Sequence, residues 1–550
     1  MRRTWLAAFF LPLIVLLAPT VHAGEKPAEM PSVVVRVKSL NALLQNLNLV
    51  VKLVGQEEAA NQIEALVKSR IGKKGLEGMD PARPFGAYVR FGKALDEVNG
   101  AILIPIVDDK TFLALLENLG VVYTKDKDGI YTHKTDKNVD LYFRFAHQYL
   151  YITSVNTESI QLKNLPDPAK ALAIPGDATI SLVARIDQIP NDARLFALAH
   201  LDEATEAARK QTKQGARKGE DPAATKIREW AALGTVNAFH SLTKSLIGEG
   251  AEVRLDLDVN DKTKEMNVNF NVTAKPGTDL AKTIKTLGEL KSPLSGLAKN
   301  DVAFHGGVHF VLPEELNKAF VTLLTEIKVD ALKGIQDDTK KAHAKMLFDA
   351  MMPTAKAGEF QIVAAVLGPK EERYTFLGAL KLKDGDKLGK TVHDLLKEAL
   401  KDIPEAQRDK IRLDFDRVGT TKIHRFEVPK DPKLDKILTD VAGDNQLYIA
   451  FRDDALLVAL GKESLATLKA ALANNDSTIS QPLVFDFDVA RMAALMAKTP
   501  EQKELATKLF TKGENGRVRL TVNGGARLNA QLQMRLNVLE FLAKLKKEAE

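Results

Sequence analysis

Two hydrophobic periods alternate along this 550-residue chain. SVVVRVKSLNALLQNL, from Ser32, passes from an apolar strand to leucines at helical spacing. VHFVLPEELNKAFVTLL, from Val308, does the same with Pro313 at the helix start. The phrase DLYFRFAHQYLYITSVNTESIQLKNL, from Asp140, returns as QLYIAFRDDALLVALGKESLATLKAAL, from Gln446. Both carry Leu-Tyr-x-x-Phe, a short polar stretch, an apolar strand, then Glu-Ser and a helical leucine pattern. ATISLVARIDQIPNDARLFALA, from Ala178, is matched by PLVFDFDVARMAALMA, from Pro482. Each half closes on alternating apolar and polar residues, AEVRLDLDVNDKTKEMNVNFNVTA from Ala251 and GRVRLTVNGGARLNAQLQMRLNV from Gly516, the pattern of half-buried antiparallel hairpins. Asn523-Gly524, Asp128-Gly129 and Gly419 are the expected turns, because these residues readily take positive φ.

The same order of elements in both halves predicts an α+β protein of two tandem homologous lobes. Each is expected to be a mainly antiparallel sheet with helices packed on one face. The lobes are expected over residues 31–290 and 301–550, joined by KSPLSGLAKN at 291–300, where Pro293 and Gly296 suit a linker. A charged stretch at 203–230, rich in Lys, Arg, Glu and Ala, interrupts the parallel. Its composition predicts an exposed helix pair or a mobile arm.

Residues 1–23 stand apart. Two arginines, an apolar run from Leu6 to Leu17 and the small-residue end Val21-His22-Ala23 follow the plan of a signal peptide. Cleavage is expected between Ala23 and Gly24, leaving a short linker at 24–30. Leu6–Ala23 falls short of the roughly 20 residues of a spanning helix, and no later run approaches that length. The expected location is therefore secreted or periplasmic, with no transmembrane segment after removal of the leader. Gly24 offers no cysteine for a lipid anchor.

The chain contains no cysteine at all, which excludes disulfides, zinc–thiolate sites and thiolate catalysis. Without Arg2 and Arg3 the balance is 76 basic to 72 acidic residues, mixed along the chain. Nucleic-acid binding calls for a concentrated basic stripe, so no nucleic-acid partner is expected.

Candidate chemistry is sparse. Asp256/Asp258, Asp414/Asp416 and Asp486/Asp488 are Asp-x-Asp pairs that a strand would turn to one face. A hard cation wants six to eight oxygens, so these pairs read as polar faces of amphipathic strands, with Asp488 also placed to cap a helix. His305 and His309 share His-x-x-x-His spacing, but the glycines between them argue for a strand, where they stand about 13 Å apart at ~3.3 Å per residue. Arg83, in DPARPFG, could hold an anion, although the prolines and Gly86 suit a rigid turn. His133, His147, His200, His240, His343, His393 and His424 show no ligand spacing. No nucleophile elbow, phosphate-binding loop or dinucleotide fingerprint occurs; GDKLGKT, from Gly385, is one residue short of a phosphate loop. No catalytic, cofactor-binding or metal residue is assigned, and no cofactor is expected.

The leader, the DPARPFG turn ahead of a strand, the IPIVDDKTFLALL unit and the GVVYTKDKDGIY hairpin resemble a class of large secreted bacterial proteins of unknown function, over most of the mature chain. The resemblance implies export from a bacterial cell and brings no site residues with it. The expectation is a non-catalytic protein that binds a ligand, a protein partner or another envelope component. A hydrolase without a local motif and a carrier of an apolar or lipid ligand are the alternatives.

Overall fold

The computed structural model describes residues 30–53, 78–92, 98–212, 222–297, 302–401, 403–428, 437–474, 477–497, 499–510 and 516–547. The expected leader and its Ala23–Gly24 boundary lie outside the described residues. The protein is mixed helix and strand with extensive antiparallel sheet. The chain divides into two compact units. One comprises Met1–Glu206, Phe239–Lys282 and Leu542–Glu550; the other comprises Ala207–Ala238 and Thr283–Phe541.

The first unit holds β1 (Val33–Val37), β2 (Phe85–Phe91), β3 (Val98–Pro105), β4 (Thr124–Lys125), β5 (Tyr131–Lys134), β6 (Asp140–Ala146), β7 (Tyr149–Thr153), β8 (Ile180–Arg185), β9 (Gly250–Asn260) and β10 (Glu265–Ala274). Their order across the sheet is β10-β9-β8-β1-β2-β3-β7-β6-β5-β4, every pair antiparallel.

The second unit holds β11 (Val302–Val311), β12 (Glu359–Lys370), β13 (Arg373–Lys381), β14 (Ile411–Val418), β15 (Thr421–Glu427), β16 (Gln446–Arg452), β17 (Ala455–Leu460), β18 (Leu483–Asp488), β19 (Arg517–Asn523) and β20 (Leu528–Arg535). Their order is β20-β19-β18-β11-β12-β13-β17-β16-β15-β14, again antiparallel throughout. Ten strands thus follow one order in each unit, with β1 and β11 in matching central places. Lys291–Ser292 and Thr478–Ile479 form a separate two-stranded ribbon. Just beyond it Leu294, in the expected linker, is buried in the second unit's core.

Helices cover both sheet faces, not one. In the second unit Leu468, Ala471 and Leu472 of the helix Ser464–Ala473 pack with Val363, Ala365, Leu377 and Leu457. Leu388 and Val392 of the helix Gly385–Ala399 pack with Leu380, Leu456 and Phe451, which point the other way from the same strands. The first unit repeats this: Tyr88, Leu103 and Tyr151 form one core, while Phe112 of the helix Asp109–Asn118 joins Phe143 and Leu150 in another. Strands that are apolar on both sides need two covers.

Pro313 stands at the N-cap of the helix Glu314–Gly334. Asp488 caps Val489–Met496, its carboxylate accepting from the Arg491 N–H at 3.2 Å. Gly419, at φ +58°, joins β14 to β15 in a two-residue turn. The Asn523-Gly524 expectation is corrected: β19 and β20 are joined by the longer loop 524–527, with the positive φ at Gly525. A Cβ on Gly524 would lie 2.3 Å from the Ile284 carbonyl oxygen, so glycine there permits a helix to approach the loop. In the first phrase Glu158–Ile160 and Leu162–Asn164 form two 3₁₀ turns, where the second phrase has the helix Ser464–Ala473. Pro166 and Pro168 follow within a few residues and stop any longer helix.

The described parts of the charged stretch at 203–230 belong to two helices, Asn191–Thr212 and Pro222–Glu249. Arg209 Nε donates to Asn237 Oδ1 at 2.8 Å, joining them. Trp230 lies 4.9 Å from the Phe320 ring, and Lys226 pairs with Asp330 at 2.5 Å, so part of this stretch is docked.

Candidate binding surface

Directly opposed residues of antiparallel strands point to the same sheet face. In the second unit one row across eight strands reads Ala530, Val522, Leu483, Val308, Ile362, Leu380, Leu456 and Phe451. The next reads Leu532, Leu520, Phe485, Gly306, Ala364, Gly378, Val458 and Ile449, and the third Met534, Val518, Phe487, Phe304, Val366, Phe376, Leu460 and Leu447. No polar side chain interrupts these three rows. The helix Gly385–Ala399 covers the Leu380–Leu456–Phe451 end. Elsewhere cover is partial: Ile362 is 58% exposed, Val308 and Phe485 40% each. Phe304 and Phe485 meet edge to face at 5.5 Å, and Phe310 stacks on Phe360 at 5.7 Å. Phe360 in turn meets Phe320 at 5.3 Å.

The first unit has a corresponding row of Phe270, Leu255, Leu182, Val35, Ala87, Ile102, Ile152, Phe143 and Tyr131. The Phe112 cluster buries its Tyr131 end, whereas Leu255 is 40% exposed. An antiparallel sheet with one wetted face alternates apolar-in and polar-out. Here the partly open face is as apolar as a core, which makes it the candidate binding surface.

The charged candidates lie on the opposite faces and at the outer hairpin, each with partners. Asp256 accepts from Ser181 Oγ at 2.7 Å and pairs with Arg254, while Asp258 accepts from Thr179 Oγ1 at 3.0 Å. Asp486 takes Arg517 through both oxygens, at 2.6 and 2.8 Å. Asp416 pairs with Lys469 at 2.5 Å, which holds its carboxyl below the usual range. These carboxylates fit the polar-strand reading.

His305 and His309 both lie on β11, as the glycines imply. His305 stands opposite Asp486 in the ladder, and His309 Nε2 reaches Glu359 Oε1 at 2.8 Å, with Lys381 on the same oxygen at 2.5 Å. Burial holds both imidazoles below the ordinary histidine value, against the pull of these carboxylates. Among the described residues no group of three or more His, Asp or Glu side chains is arranged to hold a metal ion.

Arg83 lies 4.6 Å over the Tyr149 ring and donates to Gln148 Oε1 at 3.1 Å, on the wall of a cavity of about 290 Å³ that Asp167 and Leu172 also line. The turn reading holds as well, since Asp80 Oδ1 accepts from the Ala82 N–H at 3.0 Å.

One constellation escaped the sequence reading. His393 and His424, taken as scattered, meet with ring centres 5.7 Å apart beside Asp414. No spacing signals it, because the three residues lie on a helix and two different strands.

No protein-family model matches the chain, and neither a curated protein nor a solved structure matches it. No helix among the described residues is long and apolar enough to cross a membrane.

Proposed function

We propose that this is an exported, non-catalytic envelope protein that holds an apolar ligand of the acyl-chain class on the open apolar face of its sheets. The observation that carries the reading is the set of uninterrupted apolar rows in the second unit, with Ile362, Val308 and Phe485 left substantially exposed. Filling such a face gains about 25 cal/mol per Å² of apolar surface removed from water. The ion pairs and hydrogen bonds that engage the Asp-x-Asp residues support a non-catalytic role for them. Export rests on the leader plan of residues 1–23.

We also propose that the two units arose by tandem duplication. The common ten-strand order and the recurring sequence phrases support it. Both copies keep the apolar face, as expected if the ancestral unit already bound through it.

The deciding experiment is native mass spectrometry of the full protein purified from its own host, alongside its denatured mass. Additional mass of lipid size, present only in the native spectrum and identified by extraction as acyl-containing, is the expected result. A bare native mass, together with no uptake of a fluorescent fatty-acid probe, overturns the acyl-ligand reading. A stoichiometric protein companion in its place would assign the face to a protein partner.

A further inference from the structure

The outer hairpin of the second unit carries a device that the apolar face does not use. The register of β14 against β15 slips between Arg412 and Asp416, which puts Leu413, Asp414 and Phe415 in a bulge. Asp414 has φ +53°, in the left-handed region. A non-glycine residue stays there, away from the regular strand conformation, when its surroundings hold it.

The surroundings do hold it. The Asp414 backbone N–H donates to His424 Nδ1 at 3.1 Å, which makes Nδ1 the unprotonated nitrogen of a neutral ring. Lys422 Nζ donates to Asp414 Oδ2 at 2.7 Å. His393, from the helix Gly385–Ala399, places Nε2 3.4 Å from the same oxygen, and its Nδ1 lies 3.2 Å from Asp394 Oδ1. The charged or titratable groups facing His424 are therefore Asp414 on β14, Lys422 on its own strand and His393 on the helix. From β16 its ladder partner is Ile449, which cannot titrate.

We propose that His424 and the Asp414 bulge form an acid-sensitive latch on the outer hairpin. A proton on Nδ1 turns the acceptor of the Asp414 N–H into a donor that can turn to Asp414 Oδ1, 3.7 Å away, so the backbone N–H loses its partner and the bulge its tie. The proton comes from solvent, and no covalent bond other than the new Nδ1–H changes. The left-handed backbone at Asp414 then relaxes, and β14 loosens from β15.

Burial favours the neutral ring and holds His424 below its ordinary value of 6.5, with His393 and Lys422 acting the same way and Asp414 opposing. A base whose folded value is depressed contributes stability that is complete above the unfolded value. That contribution is lost as pH falls through the folded one. The latch is thus closed at neutral pH and opens on acidification.

Hydrogen exchange of the full chain tests this, following the segment 411–427 between pH 7.5 and 4.5 with intrinsic rates corrected. Protection of the wild-type segment should fall at least tenfold across that range. His424→Asn, whose side-chain oxygen can accept the same N–H without titrating, should hold protection constant, whereas His393→Gln should retain the fall. Equal pH dependence in wild type and His424→Asn, or constant protection in wild type, overturns the latch. Should His424→Asn fail to fold, nitrogen NMR of the wild-type ring decides. The Nε2–H tautomer at pH 7.5 supports the proposal, and any other state overturns it.

Discussion

Val308 and Ile362 stand directly opposite each other on β11 and β12, and both remain open to solvent in the middle of an apolar row. The pair marks where the face is least covered, so it is the place to interrupt it. Ile362→Lys should weaken binding of a fluorescent fatty-acid probe at least tenfold, about 1.4 kcal/mol. Its effect on the denaturation midpoint should stay small, because Ile362 is already 58% exposed. Unchanged probe affinity would remove this face from the binding reading.

Asp486 tests the polar side of the same strands. Its carboxylate is buried and holds Arg517 in two parallel bonds, with His305 opposite it in the ladder. Asp486→Asn takes the carboxylate charge away from Arg517 and from Arg519, whose Nε lies 3.7 Å from Oδ2. Arg517 is 40% exposed, so water offsets part of the loss, and we expect a destabilisation of about 1–3 kcal/mol in urea titration. Asp416→Asn, at an exposed pair, should leave the midpoint where it is.

The His309–Glu359–Lys381 cluster predicts acid sensitivity in the second unit. Burial keeps His309 below its ordinary 6.5, so its contribution is complete above that pH and is lost as pH falls through the folded value. Burial pushes Glu359 up, but the bonds from Lys381 and His309 outweigh it and leave it below 4.5, so its share is lost at still lower pH. Denaturant midpoints should therefore fall on acidification from pH 7, and His309→Gln should flatten the upper part of that decline. A slope unaffected by the substitution would place the proton uptake elsewhere.

Gly288→Ala probes the close approach of a helix to the β19–β20 loop. A Cβ there would lie 2.5 Å from the Gly525 backbone nitrogen, a contact neither backbone can relieve without moving. The expected cost is about 1–3 kcal/mol, read from thermal unfolding. Gly277→Ala is a useful contrast: its Cβ meets nothing within 4 Å, and only its φ of +81° resists.

Much of the sheet could be anticipated because its strands announce themselves by composition. VVVRV, QLYIAFR and ALLVAL formed strands where the pattern placed them, and the recurring phrases occupy matching places in the two strand orders. Two-sided burial was harder to read. EFQIVAAVLG alternates Gln361, Val363 and Ala365 toward the core with Ile362, Ala364 and Val366 toward the open face. Since both sets are largely apolar, periodicity alone cannot say which is wetted. The His393–Asp414–His424 constellation was hidden for another reason. It depends on a backbone bulge at an aspartate, and no short-range rule requires left-handed φ there.

Arg185 closes β8 opposite Glu252 of β9, while Asp488 closes β18 opposite Arg517 of β19. The geometry is shared and the polarity reversed. A chain that repeats one strand order risks exchanging strands between the repeats as it folds. If β8 paired with β19, Arg185 would meet Arg517; if β18 paired with β9, Asp488 would meet Glu252. Like charges directly opposed disfavour such pairs. With the polarity reversed, such an exchange would set like charges opposite each other at both places.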